Sequence, residues 1–339
     1  MQTITIGLDI AKNVFHAVLV TSRGTITKKK QMKRSAVLGF FARLEPATII
    51  MEACGSSNYW GRELQKVGHE VKLIAPQYVV AYRRKNKNDY NDAQAIAEAS
   101  QRDDMTFVPI KSIEQQDAQM SLRVRDRLVK QRTRLSNQIR GMLLEYGLCM
   151  NKGAVALRRA LPEFLEDAEN GLTTVSRILF SDLSDEYLSL CEKIEQADHR
   201  LKIFAKEQEV CQLAQSVIGV GPVTAVALYA AIGNGQYFAN GRHFSAWCGL
   251  VPRQHSTGGK SSLYGITKKG NAVLRTLLVH GARSVLCNVD KKKDKLSLWA
   301  AHLKSTKSFN TACVALANKL ARIVWSVVAN KTPYELKTA

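Results

Sequence analysis

No two cysteines in this sequence stand at Cys-x-x-Cys spacing, and the seven it has (Cys54, Cys149, Cys191, Cys211, Cys248, Cys287 and Cys313) are scattered. That excludes a zinc site of the usual spacing and a disulfide framework, and predicts buried, reduced thiols in a cytoplasmic protein. Long apolar runs are missing too. Residues 223–232 fall short of the roughly 20 apolar residues that span a bilayer, and residues 313–328 are interrupted by Lys319 and Arg322. The start, Met1-Gln2-Thr3, lacks the charged head and apolar core of a signal peptide. No membrane partner is expected. Tandem repeats and low-complexity tracts are also absent. Acids are scarce against bases: 29 Asp and Glu face 49 Lys and Arg, leaving a net charge of +20. Such an excess attracts polyanions and makes binding salt-dependent, which puts nucleic acid ahead of an anionic membrane or a merely basic surface.

What is present suits a globular protein of two domains and a connector, with 45% apolar and 23% charged residues over 339 positions. The first hundred residues read as α/β. Residues 3–10 and 14–21 form strands, Ser22-Arg23-Gly24 marks a hairpin turn, and residues 25–31 return as a third strand. Residues 47–51 and 70–74 are short apolar strands, with helices expected over 36–44, 59–67 and 93–100. Three strands, a helix, a strand, a helix and a strand is the order of a ribonuclease-H-like fold. From about Ile113 the period becomes helical. Val124, Leu128, Leu135, Ile139, Met142 and Tyr146 recur at helical steps, and Tyr187, Leu190, Ile194, Ala197, Leu201 and Phe204 alternate steps of three and four. The second run is a coiled-coil seam, paired within the chain or with a second copy. Beyond Ser216 come glycine-rich turns, short helices and a buried helix over 311–329.

Two acids end separate apolar strands, Asp9 and Glu52. Asp89 and Asp92, three apart at a predicted helix start, share one helical face. Four converging carboxylates repel unless hard divalent cations lie between them, and two Mg²⁺ held so can activate an attacking oxygen and stabilise a leaving one at a phosphodiester. Singly, each acid reads equally as a solvated turn residue or an N-cap. The run Tyr82-Arg83-Arg84-Lys85-Asn86-Lys87 brings Arg83, Arg84, Lys85 and Lys87 to where a substrate phosphate would approach.

Gly219-Val220-Gly221-Pro222 resembles a helix-hairpin-helix contact, in which Gly219 and Gly221 let backbone N–H groups meet phosphate; a plain turn is the alternative. A polar, flexible loop is expected over 246–260. Its Ser256 hydroxyl, flanked by glycines and by Arg253, Lys260, Lys268 and Lys269, is placed to attack a phosphodiester, or else the loop only grips phosphate. On the first long helix Arg123, Arg125, Arg127, Arg132, Arg134 and Arg140 suit a duplex or folded RNA backbone, with Arg123, Arg127 and Arg134 the chosen contacts. Lys291-Lys292-Lys293 reads as a solvated turn.

Several stretches, in family order, resemble the DEDD transposases of insertion-sequence family 110, particularly their 1111 branch. They are Gly-Leu-Asp9-Ile-Ala-Lys, Met-Glu52-Ala-Cys-Gly, Lys-Asn-Asp89-Tyr-Asn-Asp92-Ala, Gly-Val-Gly-Pro, and Gly-Leu-Val-Pro-Arg-Gln-His-Ser-Thr-Gly-Gly-Lys followed by Gly-Ile-Thr-Lys-Lys-Gly-Asn. The resemblance implies a RuvC-like catalytic domain over 1–110, a coiled-coil connector over 111–212, a mainly α transposase domain over 213–330, and a tail over 331–339. It further implies Mg²⁺ on Asp9, Glu52, Asp89 and Asp92, a covalent phosphoserine link to DNA, and a homo-dimer or tetramer whose sites join acids of one subunit to serine of another. A guide RNA that pairs with donor and target DNA enters by resemblance alone. In family members with one serine just before glycine, an ungapped comparison sets that serine over Thr257. The nucleophile is then Ser256, favoured because threonine is more hindered, or Thr257. Two other functions stay open: a Mg²⁺-dependent endonuclease resembling a Holliday-junction resolvase, and a nucleic-acid scaffold without catalysis.

Overall fold

The computed structural model describes residues 4–21, 23–82, 88–102 and 105–336. The chain divides into two compact units, Met1–Ser112 and Ile113–Ala339.

The first unit is a six-stranded sheet with helices on both faces. Its elements are β1 (Thr5–Ile10), β2 (Val14–Val20), β3 (Ile26–Lys33), α1 (Val37–Phe41), β4 (Thr48–Glu52), α2 (Ser57–Lys66), β5 (Glu70–Ile74), α3 (Pro76–Val79), α4 (Asp89–Ser100) and β6 (Phe107–Val108). The sheet order is β3-β2-β1-β4-β5-β6, with β1, β4 and β5 parallel and the rest antiparallel. Strand alternation sorts side chains between the two faces. Ile6, Leu8, Phe15, Ala17, Leu19, Ile49 and Met51 turn to one side and form a core with Phe41, Trp60 and Leu64. The opposite parity, carrying Ile50 and Ile74, packs against Ala95, Ile96 and Ala99 of α4. Gly7 permits that packing. A Cβ there would lie 2.1 Å from the Ala93 carbonyl oxygen, so α4 rests directly on β1 backbone. The five longer strands fall within two residues of where alternation, short apolar runs and the hairpin turn predict them, while α3 and two-residue β6 are too short for any periodic signal.

The second unit is helical: α5 (Ile113–Leu144), α6 (Ala154–Glu166), α7 (Thr174–Glu207), α8 (Glu209–Gln215), α9 (Pro222–Ile232), α10 (Gly241–Trp247), β7 (Pro252–Thr257), β8 (Lys260–Ile266), α11 (Ala272–Cys287), α12 (Lys295–Thr306) and α13 (Phe309–Ala329). Helices α5 and α7 pack along each other within the chain. Leu128, Leu135, Ile139 and Leu143 meet Phe180, Tyr187, Leu190 and Ile194, and Leu157 and Leu161 of α6 close that core. Their other ends supply Ala118, Leu201 and Ala205 to a second core built on α9, α11 and α13.

Helix α13 is long and apolar enough to cross a bilayer by length and composition, but half of that stretch is buried in the unit, where Leu316, Leu320 and Val324 are fully enclosed. All seven cysteines are free. Cys191, Cys211, Cys248 and Cys313 are buried as expected, whereas Cys54, Cys149 and Cys287 are exposed, a correction to the expectation of uniformly buried thiols.

Candidate active site

Parity brings the acids together. Asp9 shares its face of β1 with Gly7, and Glu52 shares its face of β4 with Ile50, so both point to the side that α4 covers. The adjacent strands run in register through Leu8 and Met51, one residue before the two acids. Asn88 caps α4 by accepting from the Tyr90 N–H at 3.0 Å, which sets Asp89 and Asp92 in the first turn, where the helix dipole favours negative charge. Asp92 is buried at 7% exposure, unlike a plain capping acid.

Their mutual proximity shows in the protonation of Asp9. Burial first, then the charges of Asp92 and Asp89, and to a smaller degree Glu52, push the Asp9 carboxyl up from 3.8 to about 6; His16 opposes them. Burial, Glu52 and Asp9 likewise push the Cys54 thiol up. Among the described residues no three His, Cys, Asp or Glu side chains stand close enough to chelate one ion as they are. Asp92, Asp89 and Glu52 each lie within Coulomb range of Asp9 instead, and binding one ion directly requires them to draw inward. As donors they fit a hard divalent cation: all are oxygen ligands, and their repulsion raises the proton affinity of Asp9 at a place where a cation would relieve it.

His16 belongs to this cluster and was not foreseen. It pairs with Asp9 across the β1–β2 hairpin, is 6% exposed, and sets Nδ1 3.5 Å from an Asp89 carboxylate oxygen. Tyr90 packs edge-on against its ring at 4.7 Å. The signal was available: a short hairpin places the residue seven beyond Asp9 opposite it, on the same face. Arg83, Arg84, Lys85 and Lys87 lie outside the described residues.

In the second unit the segment read as a flexible loop is a β-hairpin. Gly258 and Gly259 have φ of 57° and 78°, the left-handed pair that a two-residue hairpin turn requires. Polar residues on both faces hid the strands, since alternation cannot register without a buried side. Ser256 pairs with Ser261 and Thr257 with Lys260, so the two hydroxyl residues project from opposite faces. The Gln254 side-chain amide donates to Ser256 Oγ at 2.8 Å. Every residue of both strands is exposed except Ile266 at the base. Arg253, Lys260, Lys268 and Lys269 are exposed along the hairpin and its base.

That base is rigid. The Thr267 N–H donates to the Val251 carbonyl at 2.9 Å and the Lys268 N–H to Gly249 at 3.2 Å. Arg275 Nη1 reaches the carbonyls of Cys248 at 3.0 Å and Lys269 at 3.2 Å. Gly249 and Gly270 have φ of 69° and 76°, and a Cβ on either would lie 2.2 or 1.9 Å from a carbonyl oxygen across the clamp.

Gly219 (φ 83°) fits its turn against α11, where a Cβ on Gly281 would lie 2.1 Å from the Gly219 oxygen; Gly221 is the extended N-cap of α9. The arginines of α5 divide. Arg123, Arg127 and Arg134 are exposed at spacings of four and seven, one stripe of the helix. Arg125 instead pairs with Asp198 of α7, while Arg127 and Arg140 bond Gln131 and Asn137 along the helix surface, each at 3.0 Å.

Comparison with known proteins converges on one family. Residues 6–148, which include all four acids, match a transposase profile of the DEDD type, and residues 211–297, which include the hairpin, match the profile described as "Transposase IS116/IS110/IS902 family". The "Transposase for insertion sequence element IS1111A" of Coxiella burnetii is 46% identical over 329 residues, covering 97% of this chain and 90% of the relative. The "Probable family 20 transposase" of Pseudomonas aeruginosa is 43% identical, covering 98% and 99%. More distantly, the "Pilin gene-inverting protein" of Moraxella bovis is 22% identical over 99% of this chain. A mixed α/β sheet unit, a helical second unit and these matches together make the chain a member of the IS110-family DEDD transposases, a family of DNA-processing enzymes.

Proposed function

We propose that this transposase cuts and exchanges donor and target DNA strands with two sets of groups: Asp9, Glu52, Asp89 and Asp92, holding Mg²⁺ in a RuvC-like unit, and the Ser256 hydroxyl as nucleophile. The observation that carries the reading is the shared face of the four acids, with Asp9 driven up to about 6 by burial and by its neighbours. When bound, the metal would polarise the scissile phosphate and offset charge on the leaving oxygen.

The chain's own part follows from the side chains. Ser256 Oγ attacks phosphorus while the bond to a deoxyribose oxygen breaks; Oγ loses its proton and the leaving oxygen gains one. The DNA is then joined to serine as a phosphodiester. A hydroxyl of the other strand reverses the step, releasing serine and sealing the exchanged strand. Arg253 and Lys260, the latter opposite Thr257, are carried on the same exposed hairpin as the nucleophile and balance phosphate charge around it. The bond from Gln254 orients Ser256 Oγ, which favours it over Thr257, the last strand residue before the turn. Acids and serine lie on separate units, and in this reading a homo-dimer or tetramer joins acids of one subunit to serine of another. The stripe of Arg123, Arg127 and Arg134 on the coiled coil of α5 and α7 holds the backbone of a guide RNA that pairs with donor and target. A relative named for inverting a gene fits chemistry that rejoins strands as well as cutting them.

The test is trapping on nicked DNA that cannot religate. Wild type and Thr257→Ala give a covalent protein–DNA adduct, and Ser256→Ala gives none. An adduct in Ser256→Ala refutes the nucleophile. Cutting with free ends and no adduct in wild type replaces this reading with a metal-dependent endonuclease. Sequencing RNA that co-purifies with the protein tests the guide: a discrete transcript is expected, and none refutes it.

A further inference from the structure

A second polar site has no hairpin residue in its lining. Helices α10, α12 and α13 enclose a groove of about 680 Å³ lined by Arg242, Trp299, Lys319, Arg322 and Trp325 among others. The three helices contain no Asp or Glu, and from Val210 to Val289 the sequence has none at all. Among the described residues none of the three cations is paired with a carboxylate. Lys319 Nζ rests instead 4.2 Å from the centre of the Trp299 ring. Three unneutralised cations in one concavity raise its potential and draw in an anion.

The groove also has fixed walls. Trp325 Nε1 donates to the Gly235 carbonyl at 2.8 Å. Asn318, another lining residue, donates to the Leu250 carbonyl at 3.1 Å, tying the groove floor to the segment that leads into the hairpin. Arg242 and Arg322 are exposed, while Trp299 and Trp325 are half-buried with part of each indole open. A rigid indole beside clustered cations is the combination that holds an unpaired nucleotide: the ring stacks the base and the cations take the flanking phosphates. Double-stranded nucleic acid offers phosphates to the cations but cannot present a base to the indole.

We infer that this groove binds an unpaired nucleotide of a single-stranded nucleic-acid segment, with Arg242, Lys319 and Arg322 on its phosphates and Trp299 against its base. The site deepens the proposed function, since it rests on the reading of the protein as a strand-exchanging enzyme, and it supplies a hold for strands separated during exchange. Lys319 moves from the ring to phosphate as the base arrives.

Fluorescence anisotropy of the full-length protein with fluorescein-labelled 15-mers of dT and rU, and with a 20-base-pair duplex, tests it. Lys319→Glu with Arg322→Glu should weaken 15-mer binding at least tenfold and flatten its salt dependence by about 1.4 in log–log slope, from 0.7 per phosphate contact. Duplex binding should change less than threefold. Trp299→Leu should weaken 15-mer binding several-fold with an unchanged slope, because stacking carries no counterions. Equal loss for 15-mer and duplex overturns the inference, as does wild-type binding by both variants. Loss for dT alone or rU alone keeps the site and names its strand. Adduct formation, read in parallel at saturating nicked DNA, separates the two proposals. Adduct lost in Ser256→Ala but 15-mer binding intact in that variant leaves the groove standing. Missing adduct in wild type, with 15-mer binding still dependent on Trp299 and Lys319, sinks the strand-exchange chemistry and leaves the groove as a binding site.

Discussion

Replacing Asp9 with Asn keeps the side chain's shape and removes its charge, which makes it a direct probe of the acid cluster. Burial and three neighbouring carboxylates move its proton affinity from 3.8 to about 6. Because the folded value lies above the unfolded one, the folded unit binds this proton more tightly. The associated stability is complete below about 4 and is lost as pH climbs through about 6. At about 1.4 kcal/mol per tenfold in proton affinity, the loss at pH 8 is at most about 3 kcal/mol. Water that reaches the carboxyl reduces this, so we expect the metal-free Asp9→Asn protein to gain about 1.5–3 kcal/mol at pH 8. With a urea dependence near 1.5 kcal/mol per molar, that is a midpoint raised by about 1–2 M. Hydrogen exchange of β1 and β4 peptides across a urea series in EDTA reads the first unit separately from the helical one. Adding Mg²⁺ should raise the wild-type midpoint and leave the variant almost unmoved. A variant no more stable than wild type at pH 8 in EDTA, or a gain equally large at pH 4, would refute the electrostatic account of the cluster.

Three further outcomes follow from the same geometry. Gly270→Ala forces a Cβ into the Trp247 carbonyl, so it should destabilise the helical unit by about 2–4 kcal/mol by calorimetry and abolish serine adducts, while exchange in β1 and β4 stays as in wild type. Reversing Arg123, Arg127 and Arg134 to Glu should cut duplex affinity and flatten its salt slope by about 2.7, whereas Arg125→Ala should leave the slope alone and cost about 0.5–1 kcal/mol of helix pairing; equal slopes in both would erase the distinction drawn between them. His16 opposes the rise in the Asp9 proton affinity, so His16→Phe should shift the onset of Mg²⁺-dependent stabilisation to higher pH, measured by the same urea series, and an unchanged onset would remove His16 from the cluster.

The first unit was legible because its strands are apolar on buried faces. Thr5–Ile10, Thr48–Glu52 and Glu70–Ile74 carry their own register, and acids at their ends stand out against it. Helix α4 was detectable from the alanines of 93–100 and from Asp89 and Asp92 at its start; its Asn88 cap emerged only in the structure. What escaped was set by contacts between distant residues. His16 becomes a site residue only once the hairpin folds it opposite Asp9. The groove tryptophans, Trp299 and Trp325, come from separate helices that no local period connects. The serine hairpin escaped for the reverse reason: with every face wet, its strands lack the pattern that burial imprints.

That hairpin has a consequence for how the enzyme discriminates. Two strands that bury little beyond Ile266 at their base are marginal as an isolated element, however firmly their feet are clamped. Much of the order at the tip must therefore be borrowed from whatever it lies against. On the proposed serine chemistry, docking on the correct DNA then supplies both the target phosphate and the stiffness needed to aim at it, whereas a poorly matched strand leaves the tip wavering and its hydroxyl idle.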